Sequence, residues 1–139
     1  MEESSMPPDD SRADSPMRWL ENAHADLSLA HVALPFYEHL CFHAQQAAEK
    51  SLKAVLLALD MDIPFTHNIQ ALLDRLERRV TVAEEVRRAV DLNPYAVATR
   101  YPGEIEPVTE DEYLEALRLA DVVVGWAETL IRERSSGLT

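Results

Sequence analysis

Glycine is nearly absent from this 139-residue chain: Gly103, Gly125 and Gly137 are the only three. A phosphate-cradling loop or a dinucleotide fingerprint needs several glycines within a few positions, so neither can be built here. Cysteine is reduced to Cys41, which excludes an intrachain disulfide and suits a reducing compartment. No apolar run approaches the roughly 18 to 20 residues that span a bilayer. The N-terminus is acidic and polar, unlike a signal peptide, and a cytoplasmic setting is the expectation. Lysine is scarce too, with Lys50 and Lys53 alone. No stretch alternates apolar and polar residues in the manner of a strand.

Basic character is the other shortage. Asp and Glu number 25 against 13 Lys and Arg, a formal charge of −12. Proteins that grip phosphate backbones display a basic face, so strong nonspecific nucleic-acid binding by the lone chain is not expected. Arg75, Arg78, Arg79, Arg87 and Arg88 could form a local basic patch. The plainer reading is a solvated helical face paired with Glu77, Glu84 and Glu85.

Apolar residues are abundant, at 47%, enough for one domain with its own core. Met1 to Ser15 is rich in Ser, Pro and acid and is expected to be a disordered acidic tail. Pro16 suits a first helical turn, and Leu20, Ala23, Leu27, Ala30 and Leu34 follow at helical spacing up to Pro35. The second helix, Tyr37 to Leu59, holds the strongest pattern. Cys41, Gln45, Ala48, Leu52, Val55 and Leu59 step by fours and threes along one face.

Thr66 is a candidate cap for a third helix with Ile69, Leu72, Leu73, Leu76 and Val80 on its apolar side. Thr81 is the candidate cap of a shorter fourth helix with Val82, Val86 and Val90, ended by Asn93-Pro94. Tyr95 to Val108 is irregular. Thr109 and Glu112 then form a capping-box pattern ahead of a last helix on Tyr113, Leu117, Ala120, Val124, Ala127 and Ile131. The predicted fold is all-α: an up-and-down four-helix-type bundle with an additional short helix, from Pro16 to Arg134, with Ser135 to Thr139 frayed.

The run Phe42 to Leu56 (FHAQQAAEKSLKAVL), followed by Pro64, Thr66-His67-Asn68 and Arg100-Tyr101-Pro102, resembles the HEPN domain family over roughly residues 18 to 132. That resemblance implies a small helical bundle and a homodimer. Relatives of this kind are often companions of a small, separately encoded nucleotidyltransferase, sometimes in toxin–antitoxin or defence-like pairs. Nuclease members of the family carry an Arg, then four to six residues, then a His near the start of the last long helix. Together these make a metal-independent RNase site, usually across a dimer. An imidazole can serve as general base or acid and a guanidinium can stabilise phosphorane charge. Here Arg100 occupies the corresponding region, but the positions for the His hold Ile105, Glu106 and Pro107. Arg18 and His24 match the spacing in the wrong helix.

Candidate binding residues follow. Arg100 and Tyr101 form either a loop that faces a ligand or partner, or a packing element in which Arg100 pairs with Glu49 or Asp26. Gln45, Gln46, Glu49, Lys50 and Lys53 crowd the second helix. The two lysines could meet phosphate beside Arg100. Alternatively Gln45 bonds inside the bundle or across a dimer seam, where Ala44, Ala47 and Ala48 permit close approach. Glu49 and Lys53 stand four apart in the favourable order. His39 and His43 share that spacing, but no third ligand accompanies them and no metal or other cofactor is assigned. His67 is expected to order its loop, and Cys41 to lie in the core.

Three functions remain open on these grounds: an interaction module partnering a nucleotidyltransferase, with nucleotide bound in addition; a metal-independent RNase toxin with a degenerate Arg/His motif; and a stand-alone small-nucleotide binder.

Overall fold

Five α-helices and one 3-10 helix make up the computed structural model, which describes residues 15–97 and 106–135. They are α1 (Pro16–Ala30), α2 (Tyr37–Ala58), α3 (Ile69–Leu76), α4 (Glu84–Arg87), the 3-10 helix (Arg88–Ala96) and α5 (Glu110–Ser135). Among the described residues there is no strand, and none of the helices is long and apolar enough to cross a membrane.

α2 is the central element. It packs most extensively against α1 and α5 and also touches α3 and the 3-10 helix. From Ser51 to Leu56 every residue is buried, so the helix is enclosed on all sides over almost two turns. Its alanines make that possible. Ala44, Ala47, Ala48 and Ala54 have no exposed surface and let neighbouring backbones approach, while Leu52, Val55 and Leu56 fill the spaces between.

The helix ends follow local chemistry. Ser15 caps α1, its hydroxyl accepting from the Arg18 N–H at 3.2 Å, and Pro16 follows in the first turn. α2 stops in a Schellman motif: the Met61 N–H donates to Leu56 O at 2.8 Å and the Asp60 N–H to Leu57 O at 3.0 Å. Asp60 takes the left-handed position, with φ 60°, that glycine usually occupies. α5 opens with a reciprocal capping box. The Thr109 N–H donates to Glu112 Oε1 at 2.9 Å, and the Glu112 N–H to Thr109 Oγ1 at 3.1 Å. Acids in its first turn and Arg132 and Arg134 in its last complement the helix dipole.

Three local expectations are corrected. The cap of α3 is Asn68, not Thr66: Asn68 Oδ1 accepts from the Gln70 N–H at 2.9 Å, and Thr66 Oγ1 accepts from the Asn68 N–H one step earlier. Asn93, distant in sequence, takes the Ile69 N–H at 2.9 Å and donates to Asn68 at 3.0 Å. Thr81 caps nothing; α4 starts after Ala83, and the chain continues as a 3-10 helix through Pro94 rather than stopping there. Leu34 lies outside α1 and is half-exposed. α1 is rotated so that Asp26 is buried beside the partly covered Leu27.

The bundle closes at both ends. At one, the Tyr113 hydroxyl donates to Ala30 O at 2.5 Å, satisfying a carbonyl that α1 leaves without an intrahelical partner. Tyr113 also stacks on Tyr37 with ring centroids 5.2 Å apart. At the other, the first turns of α1 and the last of α5 share a groove lined by Met17, Leu20, Glu128, Ile131, Arg132 and Ser135. Because α2 is enclosed, its core cannot collapse around a lost side chain. Leu52→Ala is expected to cost about 3–5 kcal/mol, read as a lower urea midpoint at unchanged slope; a loss under about 1 kcal/mol would mean the site relaxes.

Candidate functional site

The polar residues of α2 meet two carboxylates. The first is Glu49, whose side chain is only 4% exposed. Lys53, one turn on, donates to its Oε2 at 2.7 Å. Gln45, one turn back, donates to its Oε1 at 3.0 Å. From the loop before α3, His67 Nδ1 stands 3.0 Å from Oε2 and 3.2 Å from Oε1. A carboxylate can only accept, so His67 carries its proton on Nδ1. Gln46 extends the chain, donating to Gln45 Oε1 at 2.8 Å. Trp19 of α1 lays its ring 5.7 Å from Lys53 Nζ, a cation–π contact that covers the ammonium.

The second carboxylate is Asp26 of α1, 11% exposed. Lys50 Nζ donates to its Oδ2 at 2.8 Å, and His43 Nδ1 lies 2.9 Å from its Oδ1. Asp26 therefore ties α1 to two points on α2 about two turns apart. Two further imidazole–carboxylate contacts join α1 to α5, His31 to Asp121 at 2.9 Å and His24 to Glu128 at 3.3 Å.

The sequence brings Gln46, Glu49, Lys50 and Lys53 together as expected for one helix, and their partners decide what they can do. Glu49–Lys53 is a buried pair rather than a solvated surface pair. Neither lysine is free: one is bound to Glu49, the other to Asp26. Arg100 and Tyr101 lie outside the described residues. The two carboxylates expected to pair with Arg100 are bonded to other groups, Glu49 to Lys53, Gln45 and His67, and Asp26 to Lys50 and His43. Among the arginines weighed as a basic patch, Arg87 pairs with Glu77 and lies 4.0 Å from Glu84. Arg79 donates to Leu59 O at 3.0 Å, closing the C-terminal end of α2.

Asp26 and the side-chain role of His67 were not legible as part of this cluster. Asp26 sits one position before Leu27 in an apolar stripe, which hides it. His67 is joined to Glu49 across 18 residues by the turn at Pro64. His67 itself is 74% exposed and its Nε2 has no partner among the described residues. No group of three or more His, Cys, Asp or Glu among them is placed to hold a metal ion.

Burial pushes the Glu49 carboxyl upward. Hydrogen bonds from Lys53, Gln45 and His67, with the Lys53 charge, outweigh it and hold the group below its ordinary range. A lowered folded-state pKa contributes stability that is present above about pH 4.3, the ordinary Glu value, and lost as pH falls through the folded value. Glu49→Gln keeps the shape but leaves the Lys53 ammonium buried without its counter-charge. The variant is expected to lose about 3–5 kcal/mol at pH 7 and to show a flatter fall in stability between neutral and acid pH. Urea titrations at several pH values measure both; equal pH profiles would show that Glu49 is not the linked group.

Comparison with known proteins places these residues in context. The family model described as HEPN domain matches residues 17–130. The crystal structure of TT1696 from Thermus thermophilus superposes with a TM-score of 0.74 at 35% identity, covering 84% of this chain and 98% of that one. The crystal structure of ST0689, an archaeal HEPN homologue, gives 0.69 at 26% identity with the same coverage. No curated protein matches the chain.

Proposed function

The chain belongs to the HEPN domain family, and from that premise we propose that it is an interaction module: a homodimer that partners a nucleotidyltransferase in a two-component, toxin–antitoxin or defence-like system and does no chemistry alone. A cytoplasmic setting goes with that reading. The observation that carries it is the state of the cations on α2. Lys53 is held by Glu49 and Lys50 by Asp26, so neither presents an unmatched charge to a phosphate. An acidic chain and the absence of His at 105–107 point the same way. In this reading nucleotide binding by the assembly draws on Arg100, Tyr101 and Gln46 with residues of the partner.

The RNase reading keeps one observation in its favour. His67 is an exposed imidazole whose Nδ1 is fixed by a buried carboxylate, the arrangement that aims Nε2 as a general base.

A tagged full-length chain recovered from its native host is expected to bring down a nucleotidyltransferase in stoichiometric amount, identified by mass spectrometry. Recovery without one would overturn the partnership. The isolated chain is expected to cleave no RNA and to give no heat with millimolar ATP or GTP. Cleavage lost at least ~100-fold in His67→Ala without unfolding would move the conclusion to the RNase.

A further inference from the structure

The first turns of α2 carry two imidazoles, His39 and His43. Their spacing places them on one helix face only if the helix has begun before His39. It has: α2 starts at Tyr37, and the Leu40 N–H donates to Phe36 O at 3.0 Å. The pair therefore shares a face, with Cβ atoms about 5–6 Å apart as for any residues one helical turn apart. Both side chains line the same open groove of about 470 Å³, at the corner that carries Phe36. The rest of the lining is apolar, Leu34, Phe36 and Leu40 among it.

The ring nitrogens are set for ligation. His43 Nδ1 lies 2.9 Å from Asp26 Oδ1, and Lys50 Nζ bonds the other oxygen of that carboxylate at 2.8 Å. A carboxylate only accepts, so His43 carries its proton on Nδ1 and leaves the Nε2 lone pair open. An imidazole that binds a metal nearly always donates its other N–H in this way, to a group that fixes its tautomer and ring orientation. Here that group is 11% exposed and anchored on a second helix, while the His43 side chain keeps 31% exposure. His39 is exposed and meets the Phe36 ring edge-on at 6.4 Å. Neither of its nitrogens has a hydrogen-bond partner among the described residues.

We propose that His39 and His43 bind a divalent transition-metal ion, zinc above all, with Asp26 as the positioning residue behind His43. This goes beyond the interaction-module reading and does not depend on it. The donors select the class of ion. Neutral imidazoles suit zinc, copper and nickel, whereas magnesium and calcium take oxygen ligands. Histidines four apart on a helix are the spacing by which helical zinc sites present two ligands together. Two protein ligands leave two of the four tetrahedral positions of zinc to water or to a donor from another molecule. A chain of −12 also draws dications toward its surface. His67 is the natural control: its Nδ1 is likewise held by a carboxylate, but no histidine stands four residues to either side.

The test is isothermal titration calorimetry of the full, metal-stripped chain with Zn²⁺. The wild type is expected to take up one zinc per chain, against which millimolar Mg²⁺ does not compete. His39→Ala and His43→Ala are each expected to lose this binding and His67→Ala to keep it, all with unchanged helical circular dichroism. Asp26→Asn is expected to weaken it ~10–100-fold. Nitrogen-15 NMR of the imidazoles reads the positioning role directly. His43 is expected as the Nδ1–H tautomer in the wild type, zinc is expected to shift Nε2 of His39 and His43 together, and the Nδ1–H fraction is expected to fall in Asp26→Asn. A wild type that gives no heat with Zn²⁺ overturns the site, as does Mg²⁺ competing equally. The exposed His39 makes no hydrogen bond whose loss would unfold the chain, so His39→Ala binding zinc as tightly as the wild type also overturns it. An Nε2–H tautomer for His43 in the wild type overturns the role of Asp26.

Discussion

An ionised carboxylate cannot sit inside a helical bundle unless its oxygens are matched, and that condition on Glu49 organises much of this molecule. Three groups reach it: an ammonium one turn ahead on α2, an amide one turn behind, and an imidazole from the loop before α3. The first two need only the helix. The third needs the chain to turn at Pro64 and return. The loop position, and with it the start of α3, is thereby coupled to a charge in the interior. Trp19 covers the same ammonium from α1, so three elements converge on one ion pair. Pairs of this kind add little net stability over apolar substitutes, but they penalise arrangements that leave a charge unmatched.

The enclosure of α2 explains why its composition is so uneven. A helix with neighbours on every side needs small residues where backbones cross and large ones between. The alternation of alanines with Leu52, Val55 and Leu56 meets both needs. Polar residues are then admitted only where another element supplies a partner. Asp26 does this for Lys50 and His43, fixing the rotation of α1 as well as its distance. Shielding of both lysines is thus a consequence of one packing arrangement.

Elements set by local pattern could be read from the sequence alone. The four-and-three spacing from Cys41 to Leu59, Pro16 in a first turn, and the Thr109–Glu112 box each determine their structure with little outside help, whereas Ser15, expected in the tail, caps α1. Where two capping residues stood close together, the sequence did not discriminate. Thr66 and Asn68 are both good caps, and Asn93, from 25 positions away, settles the choice. The fourth helix shrank to one turn because Ala83 offers no side-chain cap and Pro94 cannot donate, leaving the tighter 3-10 winding. Within the candidate site, the α2 residues were recognisable by type and spacing. Their partners were not, since Asp26–Lys50 spans 24 positions and no local periodicity encodes that contact.

The groove in which Met17 and Leu20 meet Ile131 and Ser135 makes neighbours of the first and last turns of the fold. Topologically the bundle is then almost a closed ring. A short linker could join its ends and new termini could be cut into the exposed turn around Phe65 without parting any helix pair, a permutation that folds of this layout tolerate. The same adjacency sets the first turn of α1 and the last turn of α5 at one pole, far along α2 from the corner that carries Phe36.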